Sequence, residues 1–318
     1  MRAFLFPGQG SQKVGMGAEL AAASPVARAV FEEVDEALGQ SLSRIMRDGP
    51  DEQLTLTENA QPAIMAHSIA VLRVLEIEGG IALAAQADCV AGHSLGEYTA
   101  LCASAAFTLA DTARLLKLRG QAMQAAVPVG EGAMCALLGA DLASATALAE
   151  AAAEGALPGG RKAVCEVAND NDPTQVVLSG HRPAIERAVA MAREHGIKRG
   201  VMLPVSAPFH CALMAPAADA MAQALERTPP APMRVPLYAN VTAAIVTDPA
   251  VERELLVRQV TARVRWRESV LAMGEAGIAD FVELGGKVVG PMVSRTLGDA
   301  RITSVVTMGD IEALAKAL

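Results

Sequence analysis

Aromatic residues are scarce in this 318-residue chain: one Trp, two Tyr and six Phe make up 3% of it. With hydrophobic residues at 52%, the interior must be filled by Ala, Val, Leu, Ile and Met rather than by rings. Positive charge is also short, at 27 Lys and Arg against 35 Asp and Glu. The formal charge of −8 disfavours a nucleic-acid or anionic-membrane surface, either of which needs a field of Lys and Arg. Cys89, Cys102, Cys135, Cys165 and Cys211 are widely separated, with no CxxC pair and an odd total. That fits neither a zinc site nor a disulfide framework and points to a reducing compartment. No apolar run reaches transmembrane length, and the opening MRAFLFPGQG is interrupted by Pro7 and Gly8 before it could form a signal peptide. A soluble, cytoplasmic protein is expected.

What is present is an alternation of short apolar runs with Ala-rich stretches of helical period. Residues 3–6 read as a strand, 24–39 and 62–78 as helices, 88–93 as a buried strand and 95–106 as the helix after it. Such alternation predicts a parallel α/β sheet. From 127 to 203 the order changes to strand 133–138, helix 142–154, strands 164–168 and 175–179, helix 183–195 and strand 198–203. That β-α-β-β-α-β order is a ferredoxin-like unit, flanked by Pro128, Gly130 and Gly132 on one side and Pro204 and Pro208 on the other. The expected organisation is a catalytic domain made of residues 1–126 and 204–318, with 127–203 inserted as a subdomain.

Gly92, Ser94 and Gly96 form a GxSxG pattern inside GHSLGEY, at the junction of strand 88–93 with helix 95–106. A Ser on so tight a turn is exposed only if the residues two before and two after it lack side chains that would clash. The helix that follows then directs its positive end at a developing oxyanion. The spacing alone is weak evidence, since a structural turn with a buried Ser has the same pattern; the strand before and helix after strengthen it.

A serine nucleophile needs a base, and five histidines are available. His67 lies inside an apolar helix, the reading for which is packing. His93 adjoins Ser94 and by strand alternation should point to the opposite face. His181 and His195 sit at edges of the inserted unit and should be solvated. His210, in LPVSAPFHCALM, falls at a loop-to-helix junction where the chain re-enters the main domain; a base and a structural cap are both open readings there. The opening loop Phe6-Pro7-Gly8-Gln9-Gly10-Ser11-Gln12 lacks the third Gly of a dinucleotide fingerprint and the Gly-Lys of a P-loop, but it could donate an N–H to an oxyanion hole. Arg119 borders the apolar stripe of helix 109–123, so its guanidinium needs an anion: an internal salt-bridge partner, or a substrate carboxylate.

Taken together these segments resemble the malonyl-CoA:acyl carrier protein transacylases of fatty acid synthesis and the related acyltransferase domains of polyketide synthases. The similar stretches are FPGQGSQ, LTENAQPA, GHSLGEY, LKLRGQAMQ, NDPTQVVLSG, PVSAPFHCALM, NVTA and LLVRQVTARVRWRESV, in family order over nearly the whole chain. The resemblance implies an α/β-hydrolase-like domain with a parallel sheet and a ferredoxin-like insertion. It implies that Ser94 is the acylated nucleophile, that His210 is its base, and that Gln259 orients the His through its main-chain carbonyl. The N–H groups of Gln9 and Leu95 would hold the oxyanion, Arg119 would bind the malonyl carboxylate, and Phe209 matches the malonyl-selecting pattern. Malonyl-CoA and an acyl carrier protein would be the partners, with no metal, dissociable cofactor, nucleic acid or membrane, and a monomer is expected. Because such carriers are acidic, Arg187, Arg193, Lys198 and Arg199 are candidates for a basic contact. One departure is visible: where the family usually has Glu-x-Gly-x-Gly, this chain reads Glu283-Leu284-Gly285-Gly286-Lys287, one residue short.

Three other readings compete. A serine thioesterase or hydrolase would share the turn, the His and the oxyanion hole, but nothing in hydrolysis demands Arg119. A malonyl-loading acyltransferase of a polyketide or malonate decarboxylase system fits the same residues. A silent scaffold that binds the carrier is disfavoured by the joint presence of Ser94, His210, Arg119 and Gln259.

Overall fold

The computed structural model describes residues 1–155, 157, 160, 162–205 and 207–318; Ser206 of the PVSAPFHCALM segment lies outside them. Among the described residues the strands are, in chain order, β1 Arg2–Phe6, β2 Cys89–Gly92, β3 Gly132–Leu138, β4 Cys165–Asp172, β5 Gln175–His181, β6 Arg199–Met202, β7 Leu237–Ala239, β8 Ala244–Val246, β9 Asp280–Leu284 and β10 Arg301–Val305. They form two sheets. The larger has the order β10-β9-β1-β2-β7-β8 and is parallel except for its edge pair β7 and β8. Its central strands are buried on both faces by helices, which is why AFLF and CVAG read as continuous apolar runs rather than alternating ones.

The smaller sheet, β4-β5-β3-β6, is antiparallel throughout, and its strand order with two crossing helices is the ferredoxin-like arrangement. Its two faces separate with period two. Ala133, Cys135, Leu137, Val176 and Leu178 pack with helices Leu142–Ala153 and Arg182–Met191 in a core of their own. Met134, Ala136, Ala168 and Val177 turn the other way and join the core of the larger sheet. The fold class is thus mixed α/β, with a parallel-rich sheet beside a separate antiparallel one.

Local signals account for most boundaries. Ser24 caps helix Pro25–Leu38 by accepting from the Ala27 N–H, with Pro25 at the first position and Gly39 left-handed at the end. Two expectations are corrected. The helix expected to start at Pro62 runs over Thr57–Ile77, with the proline inside it. Nearly all of its residues are buried, and that packing outweighs the hydrogen bond a proline cannot make. Strand β4 runs on to Asp172, past the expected end at 168, because the polar stretch Asn169–Asp172 has partners that local sequence does not reveal. Arg187, half-buried, donates its guanidinium to the Ala152 and Gly155 carbonyls, at the end of helix Leu142–Ala153. Among the described residues no helix is long and apolar enough to cross a membrane.

Candidate active site

β2 delivers the chain to Ser94, and helix Leu95–Ala103 leaves it. Between them Ser94 has φ 54° and ψ −109°, a conformation that an L-residue adopts only under strain of about 1–3 kcal/mol. The flanking glycines make this turn possible. A Cβ on Gly92 would lie 1.9 Å from the Gly96 carbonyl, and one on Gly96 would lie 2.4 Å from the Phe6 carbonyl oxygen. Asn240 holds the strained backbone, its Oδ1 accepting from the Ser94 N–H at 2.8 Å while its Nδ2 donates to the Gly92 carbonyl at 2.7 Å.

His210 is also at positive φ, 59°, and is 3% exposed. Its Nδ1 lies 2.8 Å from the main-chain carbonyl oxygen of Gln259. A carbonyl only accepts, so Nδ1 carries the proton and Nε2 is left as an acceptor, 2.7 Å from Ser94 Oγ. Burial, and then the nearby Arg119 charge, push the His210 pKa down to about 3, so the imidazole is neutral at physiological pH and free to take a proton.

Arg119, on helix Leu109–Ala125, is 1% exposed. It donates to Gln61 Oε1 at 2.8 Å, to Gln259 Oε1 at 2.8 Å and to Ser94 Oγ at 3.1 Å, and its guanidinium lies 5.7 Å from the centre of the Tyr98 ring. Among the described residues no carboxylate lies within ion-pair distance of it. The internal salt bridge that would make Arg119 merely structural is therefore not there, and a buried guanidinium is held by neutral acceptors beside the nucleophile.

The side chain of Gln259 is more involved than a role through its carbonyl would require. Its Nε2 donates to the Ser94 carbonyl and to Glu97 Oε2, both at 3.0 Å, while its Oε1 faces Arg119. The amide thus lies between a guanidinium and a carboxyl. Glu97 also accepts from the Asn240 N–H at 2.9 Å and stands against Glu252, with both residues fully buried. Burial raises the Glu97 pKa to about 7, and burial together with the Glu97 charge raises that of Glu252 as well. Asn240, Glu97 and Glu252 were not singled out in the sequence. The one signal was the place of Glu97 in GHSLGEY and of Asn240 in NVTA; Glu252 lies in neither, and the partners they meet are distant along the chain.

The site opens into a cleft of about 330 Å³ between the two sheets. Gln9, Leu95 and Phe209 line it alongside Ser94, His210 and Arg119. The N–H groups of Gln9 and Leu95 make no loop or cap hydrogen bond among the described residues, so they are free to serve an oxyanion. His93 lines the same cleft, its Nε2 2.8 Å from Asn171 Oδ1. This corrects the expectation that it faces away: β2 ends at Gly92, so strand alternation no longer governs its direction. His67 is a packed interior group, bonded to the Gly285 carbonyl at 3.1 Å and lowered to a pKa of about 4 by burial. In the segment Glu283–Lys287, Glu283 accepts from the Val288, Val289 and Gly290 N–H groups, capping the helix that lines the cleft with Met292. Among the described residues no cluster of three His, Cys, Asp or Glu could hold a metal ion.

A family model described as the acyl transferase domain matches residues 3–300. The chain belongs to the acyl transferase domain family. Within that family it is 44% identical over 294 residues to the malonyl CoA-acyl carrier protein transacylase of Escherichia coli K12, covering 92% of each chain. The crystal structure of the acyl-carrier-protein-S-malonyltransferase of Bartonella henselae superposes with a TM-score of 0.94 at 49% identity, over 99% of this chain and 98% of that one. A malonyl-transacylase solved in complex with its type II PKS acyl-carrier protein superposes at 0.93 with 37% identity, over 100% of this chain and 97% of that one. As a member of the acyl transferase family the chain is an acyltransferase, and Ser94, His210 and Arg119 meet in one cleft.

Proposed function

We propose that the protein transfers a malonyl group from malonyl-CoA to the phosphopantetheine thiol of an acyl carrier protein, through a malonyl ester on Ser94, and so supplies fatty acid synthesis. The observation that carries this reading is made at one atom. Ser94 Oγ is within hydrogen-bond distance of a neutral imidazole nitrogen and of a guanidinium that has no carboxylate of its own. A base and an anion receptor at the same oxygen suit an acyl group that ends in a carboxylate. The names of the relatives above, and the carrier bound to one of them, support the donor and acceptor.

In the first half-reaction Ser94 Oγ attacks the thioester carbonyl as His210 Nε2 takes its proton. The oxyanion is held by the N–H groups of Gln9 and Leu95, and the coenzyme A thiolate leaves with the proton from His210. In the second half the carrier thiol gives its proton to His210 and attacks the serine ester, and Ser94 recovers its proton on leaving. Arg119 holds the malonyl carboxylate through both halves, and Phe209 closes the acyl pocket beside His210. Residues 127–203 are taken as an inserted subdomain that covers the cleft, a reading supported by their separate hydrophobic core. A cytoplasmic setting is supported by five free, buried cysteines. The test is a transfer assay with labelled malonyl-CoA and holo carrier. Label should move to the holo carrier and not to the apo form; release of free malonate instead would make the protein a hydrolase.

A further inference from the structure

The polar stretch Asn169-Asp170-Asn171-Asp172 at the end of β4 is two-faced. Asn169 and Asn171 line the cleft, and Asn171 reaches across it to His93, the residue before the nucleophile. Asp170 and Asp172 are fully buried and engage arginines of the large-sheet body. Arg267 donates to both carboxylate oxygens of Asp170 at 2.9–3.2 Å. Arg295 contacts Asp172 Oδ2 through Nε at 2.9 Å and through Nη2 at 2.8 Å. Between them the backbone joins in: the Asp170 N–H donates to the Val264 carbonyl at 3.0 Å and the Val264 N–H to the Ala168 carbonyl at 2.8 Å. Arg295 belongs to helix Val289–Leu297, whose Met292 lines the same cleft.

A free strand end bearing two carboxylates would be solvated, since an isolated buried charge costs far more than a surface one. Here both carboxylates are fully buried while their arginine partners keep 26% and 44% of their side-chain surface. The strand end has been drawn onto the large-sheet body. Its alternate residues are thereby held at a fixed distance from Ser94. Neither arginine touches Ser94, His210 or Arg119 by any hydrogen bond among the described residues, so an effect on catalysis must pass through the strand or, for Arg295, through the helix that carries Met292.

We propose that Arg267 and Arg295 are positioning residues: by pinning Asp170 and Asp172 they set the width of the cleft and the placement of its Asn169–Asn171 wall, which meets the arm that carries the thioester. This rests on the acyl-transfer reading above. It separates binding from chemistry. The acyl end is handled by Ser94, His210 and Arg119 on the large-sheet side, whereas the arm common to donor and acceptor lies against the pinned wall.

The test compares Arg267→Gln, Arg295→Gln, their double variant and Arg295→Lys with the wild type. Each Gln variant strands a fully buried carboxylate and should lower stability, so thermal melting fixes a temperature at which every variant is assayed folded, and Arg295→Lys keeps the charge. Hydrogen exchange should quicken in residues 168–172 and at Val264 in the double variant. Steady-state KM for malonyl-CoA and for the carrier should rise together by roughly tenfold, with kcat within about threefold and the malonyl-to-acetyl preference unchanged. Arg295→Lys keeps the charge without the fork and should recover much of the loss. Unchanged exchange in 168–172, or unchanged KM with active wild type, overturns the positioning role alone. A fall in kcat with constant KM overturns it as well. A wild type that transfers no malonyl overturns the function and this role with it.

Discussion

Replacing Arg119 by alanine should change which acyl group the protein accepts rather than whether it catalyses transfer. In the folded protein the guanidinium is 1% exposed, has only neutral acceptors and carries an Nε–H with no partner. A malonyl carboxylate would therefore be its first ion-pair partner, at a guanidinium already withdrawn from water. Truncating one member of a desolvated, hydrogen-bonded charge pair costs about 2–5 kcal/mol, much of it from stranding the other charge. At 1.4 kcal/mol per decade, that is a loss of roughly 30- to 4,000-fold in kcat/KM for malonyl-CoA. Acetyl-CoA has no carboxylate, so its kcat/KM should stay level or improve, apart from a small loss through the Arg119 contacts with Ser94 Oγ and Gln259. Arg119→Lys keeps the charge but loses the fork and should fall between the two. Parallel assays with the two thioesters give the ratio directly. Equal losses for both, in a variant that melts like wild type, would refute the carboxylate-clamp reasoning.

Further outcomes follow from the same geometry. Gln259→Ala keeps the carbonyl that holds His210 but strands Arg119, Glu97 and the Ser94 carbonyl; kcat should fall by at least about tenfold, yet much less than in His210→Ala, as single-turnover rates would show. Gly92→Ala places a methyl 1.9 Å from backbone at Gly96 and should destabilise the fold by more than about 3 kcal/mol in urea unfolding. His67, His93 and His210 all have pKa values lowered by burial, to about 4 and about 3 for His67 and His210, so the unfolded chain binds protons near pH 6 that the folded chain refuses. Their contribution is present above pH 6.5 and is lost as pH falls toward 4, whereas the raised Glu97 and Glu252 act in the opposite sense. His67→Gln removes one of the histidine contributions, so its melting temperature relative to wild type should be higher at pH 5 than at pH 7. Charge reversal at exposed Arg193 and Lys198 should raise the KM for an acidic carrier at low salt, with the malonyl-CoA KM unaffected.

Much of the site was legible because its chemistry is local. GHSLGEY holds Ser94, both close-packed glycines and the start of the helix that follows in seven consecutive residues, and helical spacing alone brought Arg119 to the edge of a buried face. The ferredoxin-like order could be read because strand and helix periods switch cleanly there. What could not be read depends on partners far apart in the chain. Glu97 looks like an ordinary helix-start carboxylate until Gln259 and Glu252 are seen beside it, 162 residues from Glu97 in the case of Gln259. The NDND stretch looks like a turn until Arg267 and Arg295 are brought to it from 97 and 123 residues away. His93 was misdirected by extending strand alternation one residue past the strand's end.

The central claim is that a malonyl group rests on Ser94 Oγ between donor and acceptor. Intact mass spectrometry after brief exposure to malonyl-CoA measures it most directly. Wild-type protein should gain a single malonyl mass that maps to the GHSLGEY peptide and disappears on addition of holo carrier, and Ser94→Ala should gain none. An adduct that survives in Ser94→Ala, or a wild-type adduct that the carrier thiol fails to remove, would contradict the account.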